Sequence, residues 1–159
     1  MSELSDNWRS IDVKRERTHQ ALEAQLVSGG RDSMFSLLKD LMVFAASVGH
    51  SKEVRTPLDG ETNGITLDTY HTDGKDGYIY LFGLLEFQDG ECLKVENLRS
   101  TIKVYEEFCN TGLYEIQSWL DSNPSDPAGT DTILGKMLEK ITSTQEEDGV
   151  KPGDIEIEI

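Results

Sequence analysis

The side chains that most often carry out chemistry in proteins are few in this sequence, and they are scattered. Its three histidines, His19, His50 and His71, never stand three or four residues apart, so no two share a helix face as a metal-binding or acid–base pair would. The two cysteines, Cys92 and Cys109, form no CxxC pair and have no histidine at zinc-ligand spacing. A phosphate-binding glycine loop and a nucleophile elbow are both missing. We therefore expect no catalytic residue, no metal site, no cofactor and two reduced thiols.

Carboxylates are abundant, and three of them form the candidate partner-binding site. Glu106 and Glu107 are adjacent, so on a helix they point about 100° apart and cannot share a proton as a catalytic dyad would. Together with Glu115 they flank a helix break that we expect near Asn110 and Gly112, and we expect all three to face solvent. Two interpretations stay open: the three glutamates dock a partner, or they only keep the surface hydrated.

The charge is unevenly distributed along the chain. Residues 1–58 contain eight basic and eight acidic residues, whereas residues 59–159 contain seven basic and 22 acidic residues, so the later part carries the whole formal net charge of −15. This acidity argues against a broad DNA-coating surface, because such surfaces are basic. It favours either a soluble acidic surface or an acidic face that docks on a basic partner. One early basic cluster, Lys14, Arg15 and Arg17, provides candidate nucleic-acid contacts in an alternative interpretation.

The apolar pattern predicts a mainly α (α+β) fold: a compact helical domain with a short strand or hairpin. Residues 65–69 alternate as in a strand, and residues 71–77 have the composition of a turn. For the apolar run 78–87 we favour a helix, although periodicity alone leaves a strand open. The other predicted helices cover residues 13–28, 34–48, 93–110, 113–120 and a small segment from Thr130 or Asp131 through Ile141.

Composition also predicts the organisation of the chain. We expect a flexible polar lead-in at residues 1–11, a single globular domain at 12–122, and a linker, short helix and acidic tail at 123–159. The proline pairs Asn123-Pro124 and Asp126-Pro127 mark the second boundary, and the alternating IEIEI at the end could pair as an edge strand. The N-terminus lacks the apolar core of a secretory signal and no apolar run approaches membrane-spanning length, so we expect a cytoplasmic protein.

Three segments resemble a known family, the DNA phosphorothioation-associated protein 4 family. YEEFCNTGLYEIQSWL at residues 105–120 resembles the family's EEYANGGL-type segment. MFSLLKDLMVFAASVGHSKEVRTPL at residues 34–58 is similar to its helix, small-residue, basic and Pro-Leu stretch, and YIYLFGLLEF at 78–87 matches its apolar segment in position. The likeness covers about residues 11–121. Two departures are Asn110-Thr111-Gly112 in place of a double-glycine turn and Cys109 where the family usually has alanine.

The resemblance implies a cytoplasmic bacterial accessory protein, encoded beside Dnd-type DNA sulfur-modification genes and linked to anti-phage defence. It supplies no catalytic residue. We therefore expect a non-catalytic adaptor, not an enzyme, that contacts other proteins of the same cassette, with neither a membrane nor direct nucleic-acid contact, and with a homo-oligomer left open. The alternatives are an acidic DNA mimic that inhibits a nucleic-acid enzyme, and a ribbon-helix-helix-like regulator that uses Lys14, Arg15 and Arg17.

Overall fold

A 24-residue helix runs through the middle of the fold, and most other elements pack around it. The computed structural model describes residues 7–27 and 33–147. Two strands, β1 (Asp12–Glu16) and β2 (Thr62–Thr66), form an antiparallel sheet. The α-helices of the described residues are α1 (Gln20–Leu26), α2 (Leu38–Ser51), α3 (Leu67–Thr72), α4 (Asp76–Phe87), α5 (Leu98–Asp121) and α6 (Thr130–Glu147). This arrangement confirms the predicted mainly helical α+β class.

The sheet corrects the predicted helix at 13–28, because residues 12–16 form β1 and only residues 20–26 form an α-helix. Val13 lies opposite Ile65 in the register and is buried, while its neighbours Asp12 and Lys14 are exposed. The sequence carries a sign of this, since no apolar residue stands between Val13 and Ala21, a gap too long for an amphipathic helix.

The strand predicted at 65–69 also begins earlier and ends earlier than expected. β2 covers Thr62–Thr66, and the next six residues turn into α3. The hydroxyl of Thr66 accepts a hydrogen bond from the backbone N–H of Thr69 at 3.4 Å, which caps the first turn of that helix. Burial of Leu67 and Tyr70 on one side of α3 then holds this short helix against the core.

Helices α2 and α5 touch through their backbones at two glycines. A Cβ on Gly112 would lie 1.7 Å from the carbonyl oxygen of Ala45, and a Cβ on Gly49 would lie 2.0 Å from that of Phe108. The predicted helix break at Gly112 is therefore wrong, because α5 continues through it to Asp121. Gly112 serves close helix approach, and the packing of α2 against α5 outweighs its low helix propensity.

The core is built mainly from the facing sides of α2, α4 and α5. The helical interpretation of residues 78–87 is confirmed by α4, whose Gly83 lies against Thr101 of α5. Aromatic side chains fill the space between these helices; they are Tyr70, Phe82, Tyr105 and Phe108, with neighbouring ring centroids 5.9–6.1 Å apart.

Helix α6 begins inside the core and then leaves it. Ile133 is completely buried, and the Asp126 carboxylate accepts hydrogen bonds from the backbone N–H and the hydroxyl of Thr132. Gln25 of α1 donates to the Pro127 carbonyl oxygen at 2.9 Å. The residues just after the predicted boundary at 122 thus contribute to the same core as residues 12–122.

Some expectations fall outside the described residues. These are the structure of residues 1–6 of the lead-in, and of the acidic tail from residue 148 with its IEIEI segment. Within 7–27 and 33–147, every helix is too short or too polar to cross a membrane.

The contact at Gly112 predicts that replacing this glycine with alanine changes stability in the opposite direction from the same replacement at an open helical position. Gly112→Ala should destabilise the fold by about 1–3 kcal/mol, because the new methyl group meets a backbone carbonyl that cannot move alone. Gly135→Ala is the matched control: it also lies inside a helix, nothing lies within 4 Å of its Cβ position, and it should gain up to about 1 kcal/mol. Urea unfolding measures both. Equal effects of the two substitutions would show that α2 and α5 are not in backbone contact.

The start of α6 gives a second stability prediction. Ile133→Ala should lower the free energy of unfolding by about 2–4 kcal/mol, because it leaves a cavity in the core. Leu138→Ala, five residues later in the same helix and 64% exposed, should change it by less than about 0.5 kcal/mol. Thermal melting of both variants checks this, and a negligible loss in Ile133→Ala would place the start of α6 outside the cooperative unit.

Candidate partner-binding surfaces

The three glutamates predicted to share an exposed face do not do so. Glu107 is only 5% exposed, and its carboxylate accepts a hydrogen bond at 2.9 Å from Arg55, which also pairs with Glu86. Glu115 is partly buried and pairs with Lys52 at 2.9 Å. The expectation that they face solvent is therefore wrong for Glu107. A partner-binding role for the three stays a prediction.

Glu106 covers the open edge of strand β1. Its carboxylate accepts a hydrogen bond from the backbone N–H of Lys14, on the side of the strand away from β2. Burial raises the pKa of Glu106 to about 7, and the nearby carboxylates of Glu107 and Asp12 add to this, while the Lys14 hydrogen bond opposes it. A ribbon-helix-helix dimer needs a free strand edge to pair with a second chain. Here β1 pairs with β2 of its own chain and Glu106 covers the other edge.

Two of the three candidate nucleic-acid contacts are already paired. Arg15 and Glu23 form an ion pair in which both side chains are about nine-tenths buried. Arg17 pairs with Glu61 at 2.6 Å on the surface. Lys14 is exposed. The basic cluster therefore presents less free positive charge than its sequence indicates.

A buried polar network joins the strand β1 region to α5. The Glu16 carboxylate accepts hydrogen bonds from Asn110 Nδ2 at 2.9 Å, from the Asp59 backbone N–H at 2.9 Å, and from the Tyr114 hydroxyl. His19 Nε2 lies 2.8 Å from Asn110 Oδ1. Sequence analysis missed this network, because its members come from three segments up to 98 residues apart.

The network has one consistent proton arrangement. A carboxylate can only accept, so Asn110 directs its NH₂ group to Glu16 and its carbonyl oxygen to His19, which must therefore donate through Nε2. Burial alone would raise the pKa of Glu16, but hydrogen bonds from Tyr114, Asp59 and Asn110 outweigh it and hold that pKa below its ordinary value. The network therefore fastens the segment around Asp59 to α5 through an ionised carboxylate.

The other two histidines lie in separate environments. His50 packs its ring against Phe82 and Phe108, with centroids 5.7 and 5.3 Å away. His71 Nδ1 lies 2.8 Å from a carboxylate oxygen of Asp76 on the surface. Within residues 7–27 and 33–147, no group of three or more His, Cys, Asp and Glu side chains is placed to hold a metal ion.

The first large exposed apolar surface lies on α4 and is called the α4 face here. Tyr78, Leu81 and Leu85 follow each other at spacings of three and four, so they share one side of the helix. The half-buried Leu84 stands three residues from both Leu81 and Phe87 and connects this side to Phe87 at the helix end. Tyr78, Leu81, Leu85 and Phe87 are each 44–48% exposed. Phe87 also lines a cavity of about 340 Å³ whose other walls include Asp89, so the α4 face ends beside acidic groups.

The second apolar surface is a groove between α2, α5 and α6, called the α6 groove here. It has a volume of about 640 Å³. Phe44 and Val48 of α2 and Trp119 of α5 form one wall, and Met137 and Ile141 of α6 form the other. The groove therefore exists because α6 leaves the core after Ile133 and carries its apolar side away from it.

The two shifted glutamates predict opposite effects of pH. Glu16 contributes stability that is complete above its unfolded pKa of about 4.3 and is lost as pH falls through its lower folded pKa. Glu106 has a raised folded pKa, so ionising it costs stability as pH rises from about 4.3 to about 7.

Glu16→Gln should therefore destabilise the protein at neutral pH by about 1–3 kcal/mol, because an amide cannot accept from all the donors. The free energy of unfolding of Glu16→Gln should also fall less steeply with decreasing pH than that of the unmodified protein, because the variant lacks the carboxylate that is protonated in acid. Glu106→Gln should be more stable than the unmodified protein above about pH 7 and similar to it near pH 4. Urea unfolding as a function of pH measures both, and parallel curves for all three proteins would contradict the assignment.

Comparison with known proteins identifies the family. A family model described as DNA sulphur modification system-associated protein 4 matches residues 12–152, which include the segments 34–58 and 105–120 that carry the resemblance. Neither a curated protein nor a solved structure matches the chain. Because the matched range takes in most of the 159 residues, the chain belongs to the DNA sulphur modification system-associated protein 4 family.

Proposed function

We propose that this protein is a non-catalytic accessory protein of a DNA sulphur modification system and acts by binding another protein of that system. Membership of the family supports the link to the system. The observation that carries the binding role is the α4 face, a continuous apolar surface on the outside of the fold. In a bacterium this role would serve anti-phage defence in the cytoplasm.

The α4 face has the make-up of a contact surface. Isolated exposed apolar residues are normal, but adjoining ones on one helix side are unusual in a monomer and often mark an interaction site. The α4 face brings together two leucines and two aromatic rings, and aromatic side chains are enriched at interfaces. A partner that covered the α4 face would remove its exposed apolar area from water. The fold would not need to change, because α4 is already held to α5 through Gly83 and Phe82.

Charge indicates what kind of partner fits. Asp89 and Glu91 border the α4 face at Phe87, and the region from residue 59 onward carries the entire net negative charge. A basic protein surface complements such an edge, and proteins that handle DNA carry such surfaces. The ion pairs at Arg15 and Arg17 support a protein partner over direct DNA binding, because they occupy cations that phosphates would need.

Binding assays with the other proteins of the system test this proposal. Each is purified and titrated against the unmodified protein and a Leu81→Asp/Leu85→Asp variant. For the true partner the variant should bind at least about tenfold more weakly, because two charges would enter an apolar contact. Binding of the unmodified protein should weaken as salt rises.

Leu134→Asp/Leu138→Asp is the matched control, since it places the same two charges on exposed leucines of α6, 46% and 64% exposed, and leaves the α4 face unchanged. Circular dichroism confirms that all three proteins are folded. Equal affinity of the unmodified protein and the α4 variant for every partner would contradict the proposal, as would tight binding of duplex DNA by the protein alone.

A further inference from the structure

Three lysines and two glutamates, Glu115 and Glu139, line the α6 groove, so it carries a net charge of +1 in a protein whose net charge is −15. Lys52, Lys136 and Lys140 all line it beside the apolar wall residues. Lys52 pairs with Glu115 and Lys136 with Glu139, whereas the structure places no acidic partner within the described ranges against Lys140. The unpaired charge of the groove is therefore that of Lys140, and an occupant should combine an apolar side with an acidic group placed to meet this lysine.

The chain itself contains one segment with that chemistry. Residues 154–159 read DIEIEI, in which three isoleucines alternate with three carboxylates. An extended segment with this alternation presents all its isoleucines on one side and all its carboxylates on the other. The segment begins after the end of the range matched by the family model, so it is a feature of this chain beyond the shared family region.

The connection is long enough for the segment to reach the groove. Helix α6 ends at Glu147, and the groove is lined by its residues 136–143, which span about 10 Å of helix axis. Residues 148–153 contain Gly149, Pro152 and Gly153, and six extended residues reach about 20 Å. That distance suffices to turn back along α6 to the far end of the groove.

We propose that the α6 groove binds residues 154–159 of the same chain, with the isoleucines against Phe44, Trp119 and Ile141 and the carboxylates toward the lysines. Bound there, the segment covers the apolar side of α6 and excludes other segments from the groove. This inference is independent of the α4 face and of any partner protein.

Trp119 in the groove wall reports on the segment. Only two tryptophans are present, so a Trp8→Phe background leaves Trp119 as the single emitter. In that background, deleting residues 154–159 should shift Trp119 emission to the red and increase its quenching by acrylamide, because the ring gains contact with water. A synthetic peptide of residues 152–159, titrated into the deleted protein, should reverse both changes.

Two controls test the chemistry of the contact. A peptide of the same composition, rearranged so that isoleucines and acids no longer alternate, should not reverse the changes. Lys140→Glu should weaken binding of the original peptide about fivefold, the effect of about one ion pair, and a Glu158→Lys peptide should recover that loss.

Three results would overturn the proposal. The first is unchanged Trp119 emission and quenching on deletion, which would mean that the segment does not cover the groove. The second is equal binding of the rearranged peptide. The third is a tail effect that rises with protein concentration and accompanies a dimer in sedimentation, since it would assign the groove to the segment of a second copy.

Discussion

The backbones of α2 and α5 lie in direct contact at Gly49 and Gly112, and the positions of the other elements follow from that contact. The two glycines act reciprocally, since each meets a carbonyl of the opposite helix. Close approach brings the short side chains of Ala45 and Ala46 into the core and leaves no room for a larger residue at either glycine. The remaining sides of α5 are then free to receive α4, the β1 strand and α6.

Once α5 is fixed, its polar residues divide between fastening the fold and contacting solvent. Glu106 and Asn110 stand four residues apart and both reach the β1 region, one through the Lys14 N–H and the other through Glu16. Glu107 points to another side and holds Arg55. Three polar side chains that resemble a hydrated surface in sequence are thus the means by which a two-stranded sheet and a long loop attach to a helix. Sheets of two strands are marginal alone, so such attachment is what makes this one stable.

The sequence was informative where a local pattern decides the structure and uninformative where a distant partner does. Apolar periodicity predicted α2 and the existence of α6, because each buries a side whose spacing is visible in the sequence, whereas for α4 it left a strand open beside the favoured helix. It failed at β1, where only Val13 is apolar and the pairing residues lie some 50 positions later. The sequence was also misleading at Gly112. A glycine that ends a helix and a glycine that allows close approach of a second helix are the same residue type, and only the packing distinguishes them. The exposure of Glu107 depended on Arg55, 52 residues away, and no local signal marks that pair.

The net charge of the chain does not predict the charge around each of its apolar surfaces, because the two surfaces are bordered by different groups. The α4 face ends beside Asp89 and Glu91, while the α6 groove is lined by three lysines and two glutamates, a net charge of +1 in a protein with a net charge of −15. At physiological ionic strength a charge acts over only about 8 Å, so a binding segment responds to the groups at its own surface and not to the total. The local charges therefore favour a basic partner at the α4 face and an acidic segment at the α6 groove. One chain can in this way carry two surfaces that do not compete for the same ligand.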